Sequence, residues 1–288
     1  MSMVAGGRIE LREDELRWLV VVDGWSAALR ELVNSGQVDG IELNSTKGAW
    51  GGDLGFLCEV PELKHLMLIS FTTEDVRPLE RLTELETLDL NTYATGPLDF
   101  SRFPKLKQLF VEWRKQYRNL SSCANLADLY LNRYTETKLL VVAAMPKMHT
   151  LRVGDSRPLT SLEGIGDLAK LRMLGLYGLP KLTSLEPIQN FAATLEELEL
   201  YQCRYLKSIE PLAAVQSLKR LLLIDCGNIP SLRSVEHCRK LEELLFYGDT
   251  NIVDGNLEFL RTMPLKNVAF QNWRHYSVRN EELPGWHR

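Results

Sequence analysis

Leucine, with Val, Ile, Met or Phe in its place, recurs along the chain in the spacing L-x-x-L-x-L. The triplets begin at Leu16, Val38, Leu63, Leu85, Leu106, Leu126, Met148, Leu171, Leu195, Leu218, Leu241 and Leu265, so successive starts lie 20 to 25 residues apart. Counted from the start of a unit, apolar residues recur at offsets 0, 3, 5, 8, 11, 14, 17 and 20. In the four units from Met148 to Leu218 they fill 31 of those 32 positions, Ser156 being the exception. A random chain of this hydrophobicity would fill about 14. The alternation inside each triplet predicts a short strand, and the constant period predicts that one structural unit is repeated. Between triplets, Pro78, Pro97, Pro158, Pro187, Pro211 and Pro230 exclude regular helix and predict turns or single-turn helices. Residues 25–36 are the exception: Ser26 can cap a helix, Leu29, Leu32 and Val33 share a face, and Gly36 can end it. The segment 47–55, with four glycines, predicts a loop that either swings Trp50 out or folds it under.

These triplets, with stretches such as LTSLEPIQNF (182–191), LKSIEPLAAV (206–215) and IPSLRSVEHC (229–238), resemble the leucine-rich repeat family, in particular its short bacterial and internalin-type repeats. The resemblance implies an α/β right-handed solenoid. Its concave face would be a parallel sheet of about 11–12 short strands, and its convex side mostly turns and short helices. The family usually carries Asn or Cys at offset 8, satisfying buried backbone groups; here only Cys203 and Cys226 match, against Phe71, Tyr93, Arg114, Tyr134, Leu179 and Asp249. A unit of this size buries its leucines only against the next, so residues 16–272 are expected to form the solenoid, closed by cap segments 1–15 and 273–288. Twelve stacked strands would run about 55 Å along the inner sheet, long enough for an extended protein-binding surface.

Composition agrees with a packed chain: 288 residues, 45% hydrophobic and 25% charged, with 52 leucines. A net charge of -4 gives no long-range pull toward phosphate and disfavours direct nucleic-acid binding. No run of 18 uncharged apolar residues appears, and residues 1–16 lack a basic segment followed by an apolar one, so the expectation is a cytoplasmic protein without a membrane partner. The five cysteines have no metal-site spacing; Cys123, Cys203, Cys226 and Cys238 fall where an apolar residue is expected and should lie inside as free thiols. No HExxH, GxSxG or P-loop is present, and neither a catalytic residue nor a metal or cofactor is expected.

The third, fifth and seventh residues of each unit should point away from the leucines, onto the concave face. Acids there outnumber bases, and aromatic rings lie among them. The candidate partner-binding residues are Asp89, Phe110, Glu112, Trp113, Asp128, Tyr130, Tyr177, Glu197, Glu199, Tyr201, Arg220, Glu243 and Tyr247. Rings amid carboxylates supply desolvated anchors in a polar surround, which points to a non-enzymatic scaffold for a protein or peptide with a basic surface. An inhibitor or immunity-type protein masking a basic toxin or nuclease is one alternative. An adaptor in a nucleic-acid-associated complex, using the basic residues of 273–288, is another. Trp18, Val20 and Val22 form an all-apolar row expected to lie under the amino-terminal cap. His65 and Asp89 are placed to pair across one unit.

Overall fold

The computed structural model of the chain describes residues 2–143 and 145–286. Met1 of the expected amino-terminal cap, Ala144, and His287 and Arg288 of the expected carboxy-terminal cap lie outside them. The chain divides into two compact units, Met1–Tyr130 and Leu131–Arg288.

The first unit opens with β1 (Ser2–Val4) and β2 (Gly7–Leu11), an antiparallel hairpin whose second strand also runs antiparallel to β3 (Arg17–Val21). Beyond β3 come helix α1 (Ala27–Asn34) and the strands β4 (Gly40–Asn44), β5 (His65–Ser70) and β6 (Thr87–Thr92). The unit continues through β7 (Leu98–Asp99), β8 (Gln108–Glu112) and β9 (Tyr117–Arg118). Parallel pairing puts Leu19, Ile41, Leu66, Leu88 and Leu109 in one row, all fully buried. The short β7 and β9 pair in parallel on the return side, which elsewhere carries α1 and tight 3-10 turns such as Arg77–Arg81. Ser26 caps α1, its Oγ accepting from the Leu29 N–H at 3.3 Å. Trp50 folds under its loop, 6% exposed.

Strand β10 (Asp128–Asn132) falls at the division. The second unit holds β11 (Thr150–Gly154), β12 (Met173–Tyr177), β13 (Glu197–Tyr201), β14 (Arg220–Ile224), β15 (Asn228–Ile229), β16 (Glu243–Tyr247), β17 (Asn251–Ile252) and β18 (Asn267–Phe270). Its buried row is Leu151, Leu174, Leu198, Leu221, Leu244 and Val268. Burying each leucine contributes roughly 2 kcal/mol, and each does so against the coil before and the coil after. Of the twelve strands that follow the twelve triplets, all but β3 begin two residues after the first apolar residue of the triplet. At the far end, the Asn280 side-chain amide bonds both backbone groups of Phe270, and Val268 N–H donates to the Gly285 carbonyl. The ring of Tyr276 packs on Phe246 and Phe270 while its hydroxyl accepts from Ile252 N–H.

The two units end their strands differently. In the first, alternation continues one step further, so offset 7 points inward: Ser70, Thr92 and Trp113 are all buried. From the coil of Leu126 to that of Leu241, offset 7 instead takes left-handed backbone at Arg133, Asp155, Gly178, Gln202, Asp225 and Gly248, with φ between 48° and 67°. That reversal makes offset 8 the next inward position, which explains why Tyr134, Ser156, Leu179, Cys203 and Cys226 are buried. It also explains Ser156, the polar break in the apolar lattice: its hydroxyl donates to the Tyr134 carbonyl at 2.7 Å. Cys203 and Cys226 reach the carbonyls of Leu176 and Leu200. In the coil of Leu241, where offset 8 is the exposed Asp249, Thr250 takes over one residue later. Its hydroxyl donates to the Leu223 carbonyl at 2.7 Å and accepts from Cys226 N–H at 3.0 Å. The ladder of backbone-satisfying side chains is thus more complete than a search for Asn or Cys reveals.

Candidate functional site

Residues pointing away from the core form the open face of each sheet. In the first unit, pairing register places Met67 beside Asp89 and Asp89 beside Phe110. The Phe110 and Tyr130 rings meet edge to face at 6.5 Å. Asp89, Phe110, Asp128 and Tyr130 are half-buried there. Two expectations are corrected. Trp113 does not belong to this face: it sits at offset 7, is 6% exposed, and stacks on Phe100 at 6.2 Å with Tyr117 at its edge. Glu112 is 8% exposed and ion-paired with Arg114 at 2.9 Å, and Arg114 also donates to the carbonyls of Thr92, Trp113 and Ala94. Both residues are therefore part of the packing rather than of a contact surface.

Neither does His65 meet Asp89. Its Nδ1 lies 3.2 Å from Thr87 Oγ1, and burial holds its pKa below the usual histidine value. The amino-terminal end of this face is closed by the chain itself. Trp18 and Val20 are buried and Val22 half-buried, with the Arg12 guanidinium 4.2 Å above the Trp18 ring. Glu42, 1% exposed, is held by Arg12 and by Lys47. Pairing two cations with one buried carboxylate removes the cost of leaving that charge alone.

In the second unit the open face carries one connected polar group. Arg220 contacts Glu199 at 2.5 Å, Glu243 at 3.5 Å and Glu197 at 3.8 Å, drawing carboxylates from the strands on both sides. The Tyr177 hydroxyl donates to the other Glu199 oxygen at 2.6 Å. Tyr177 can lie this way because β12 carries Gly175, where any Cβ would come 2.2 Å from the Tyr177 hydroxyl. Burial and the neighbouring Glu199 carboxylate push the Tyr177 pKa up. Tyr177 and Tyr201 lie 5.5 Å apart, and register continues their row through Ile224 to Tyr247, which is 42% exposed. Sequence reasoning passed over the apolar members of this face: Leu222 and Ile224 are nearly fully buried beside half-buried Leu245. The fifth and seventh positions named them, but a tally of charges and rings did not.

The four buried thiols sit in apolar surroundings that raise their pKa to about 12 for Cys123, Cys203 and Cys238 and about 11 for Cys226, while Cys58 is exposed. Such thiols stay protonated at neutral pH. Among the described residues, no group of three or more His, Cys, Asp or Glu is placed to hold a metal ion. No helix among them is long and apolar enough to cross a membrane.

The repeated coil, with parallel strands on one side and 3-10 turns on the other, matches solved structures over most of the chain. The internalin InlF of Listeria monocytogenes aligns with 88% of this chain and 72% of its own, at TM-score 0.67 and 17% identity. The fold is that of a leucine-rich repeat protein. The leucine-rich repeat domain of the type III effector XopL aligns with 75% of this chain and 80% of its own, at TM-score 0.54 and 20% identity. A plant peptide hormone receptor, RGFR1 in complex with RGF2, aligns with 92% of this chain and 52% of its own, at TM-score 0.52 and 16% identity. By sequence the chain matches no family model and none of the curated proteins. At these identities the likeness concerns the leucine-rich repeat fold and leaves the ligand open.

Proposed function

We propose that this leucine-rich repeat protein is a non-enzymatic recognition scaffold that binds a partner protein or peptide across the open face of its sheet. The observation that carries the reading is the second unit's face. There Tyr177, Tyr201 and Tyr247 share one row with Ile224, against a polar network already ordered around Arg220. Rigid rings with few rotamers to freeze, set beside pre-oriented charges and half-buried Leu245, make an inexpensive binding surface. The hormone receptor solved with RGF2 supports the reading by showing a similar fold engaged with a peptide. Because Arg220 contacts all three glutamates, this part of the face is less acidic than a residue count implies. It orients a partner through placed donors and acceptors rather than through bulk charge.

The test replaces Tyr201 and Tyr247 by alanine; Tyr177 is left in place because it anchors Glu199. Quantitative affinity capture from the native cell, wild type against the double variant, should show a partner lost from the variant while its melting temperature stays within a few degrees. An identical captured set for both proteins refutes this surface.

A further inference from the structure

The carboxylates of the open faces are engaged within the protein. Glu42 is paired with Arg12 and Lys47, Glu112 with Arg114, and Glu197, Glu199 and Glu243 with Arg220. Asp128 also has an interaction of its own. Asp89 differs: among the described residues it makes no hydrogen bond and no ion pair. It stands between Met67 of β5 and Phe110 of β8, both half-buried, with Tyr130 packed on the far side of Phe110. A half-buried carboxylate between apolar walls is costly to keep ionised, and among the described residues no cation bonds to it; Arg12 offsets that cost only through its charge, and burial outweighs it.

We propose that Asp89, flanked by Met67 and Phe110 and with Tyr130 beyond, is the receptor for one lysine or arginine side chain of the bound partner. This rests on the reading of the open face as a partner-binding surface and names what one part of it recognises. The chemistry fits a basic side chain better than a free cation. A methylene stem can lie on Met67 while the charged head meets the carboxylate and the rings of Phe110 and Tyr130. A hard metal ion would need further oxygen ligands, and Glu42, whose charge Asp89 feels, already holds two cations while Glu112 on the adjacent strand is paired with Arg114. Charge complementarity is local: one negative group awaits one positive one, and pairing them turns a cost of the free protein into affinity for the partner.

The test uses the full chain at pH 7.5, with methionine methyl groups labelled for NMR, and the pentapeptide acetyl-Gly-Gly-Lys-Gly-Gly-amide as probe, its norleucine counterpart serving as the uncharged control. The lysine peptide should shift the Met67 methyl signal saturably, at a dissociation constant on the order of millimolar for a single side chain. The norleucine peptide should not, and Asp89→Asn should weaken the effect at least about tenfold. Glu210→Gln, at an exposed position in a 3-10 turn of the second unit, should leave it unchanged. No saturable shift with the lysine peptide, an equal response to norleucine, or a response that survives Asp89→Asn overturns the proposal. Its failure is separable from failure of the recognition reading. Capture lost in the Tyr201/Tyr247 variant with no lysine-dependent shift at Met67 leaves the scaffold standing and removes this site. A lysine-dependent shift with capture unchanged in that variant keeps the site and removes the tyrosine row.

Discussion

Replacing Asp89 by asparagine should make the protein more stable at neutral pH, the reverse of what removal of a polar residue from a sheet usually does. In the folded chain, burial above all, and then the neighbouring Glu42 charge, push the Asp89 pKa from 3.8 up to about 6, opposed by Arg12. The folded state therefore holds a proton that the unfolded state has released between those two values, and stability falls as the pH climbs through that window. Fully ionised, the side chain costs about 3 kcal/mol relative to its neutral form. Asparagine keeps the shape and removes the charge. At pH 7.5 the variant should gain between about 1 and 3 kcal/mol, the lower figure allowing for desolvation of the amide; at pH 4.5 the charge cost shrinks to about 1 kcal/mol, and the gain with it. Urea denaturation followed by tryptophan fluorescence reads this in the right place, because Trp18, Trp25, Trp50 and Trp113 all lie in the unit that contains Asp89. A variant less stable than wild type at pH 7.5, or a difference that does not change between pH 7.5 and 4.5, would show that the carboxylate is compensated inside the fold.

Thr250→Val should cost about 2 kcal/mol or more, since it strands both the Leu223 carbonyl and the Cys226 N–H, whereas Thr250→Ser should recover most of the loss; denaturation midpoints of the pair decide. Gly248→Ala should destabilise by about 1–2 kcal/mol, because a Cβ at its φ of +67° would lie 2.0 Å from Asp225 Oδ1; a thermal midpoint equal to wild type contradicts the left-handed strand ending described above. Of the five thiols, Cys58 should react with a disulfide reagent within minutes in the native protein and the other four only after unfolding, so more than one fast equivalent under native conditions speaks against their burial.

The repeat was legible because its signal is both local and periodic. In-and-out alternation within a triplet and a spacing of 20 to 25 residues between triplets leave little freedom, and the strands appear where the leucines announce them. The helix over residues 27–34 was equally readable from Ser26 and its apolar face. Tertiary structure decided how each coil leaves its strand. Trp113 at offset 7 and Tyr134 at offset 8 are both buried, yet for different reasons, since Arg133 takes left-handed backbone and shifts the inward position by one. No single residue type marks that choice, as arginine, glutamine, aspartate and glycine all serve. Register across strands likewise decided the chemistry of the faces. Arg220 meets Glu197, Glu199 and Glu243 from 21 to 23 residues away, while Asp89, the same kind of group in the same kind of position, lies opposite Met67 and Phe110 and forms no ion pair among the described residues. Periodicity determines which side of the sheet a side chain occupies; whether its charge is offset there depends on which residues neighbouring coils bring alongside, and that is fixed only once the coils stack.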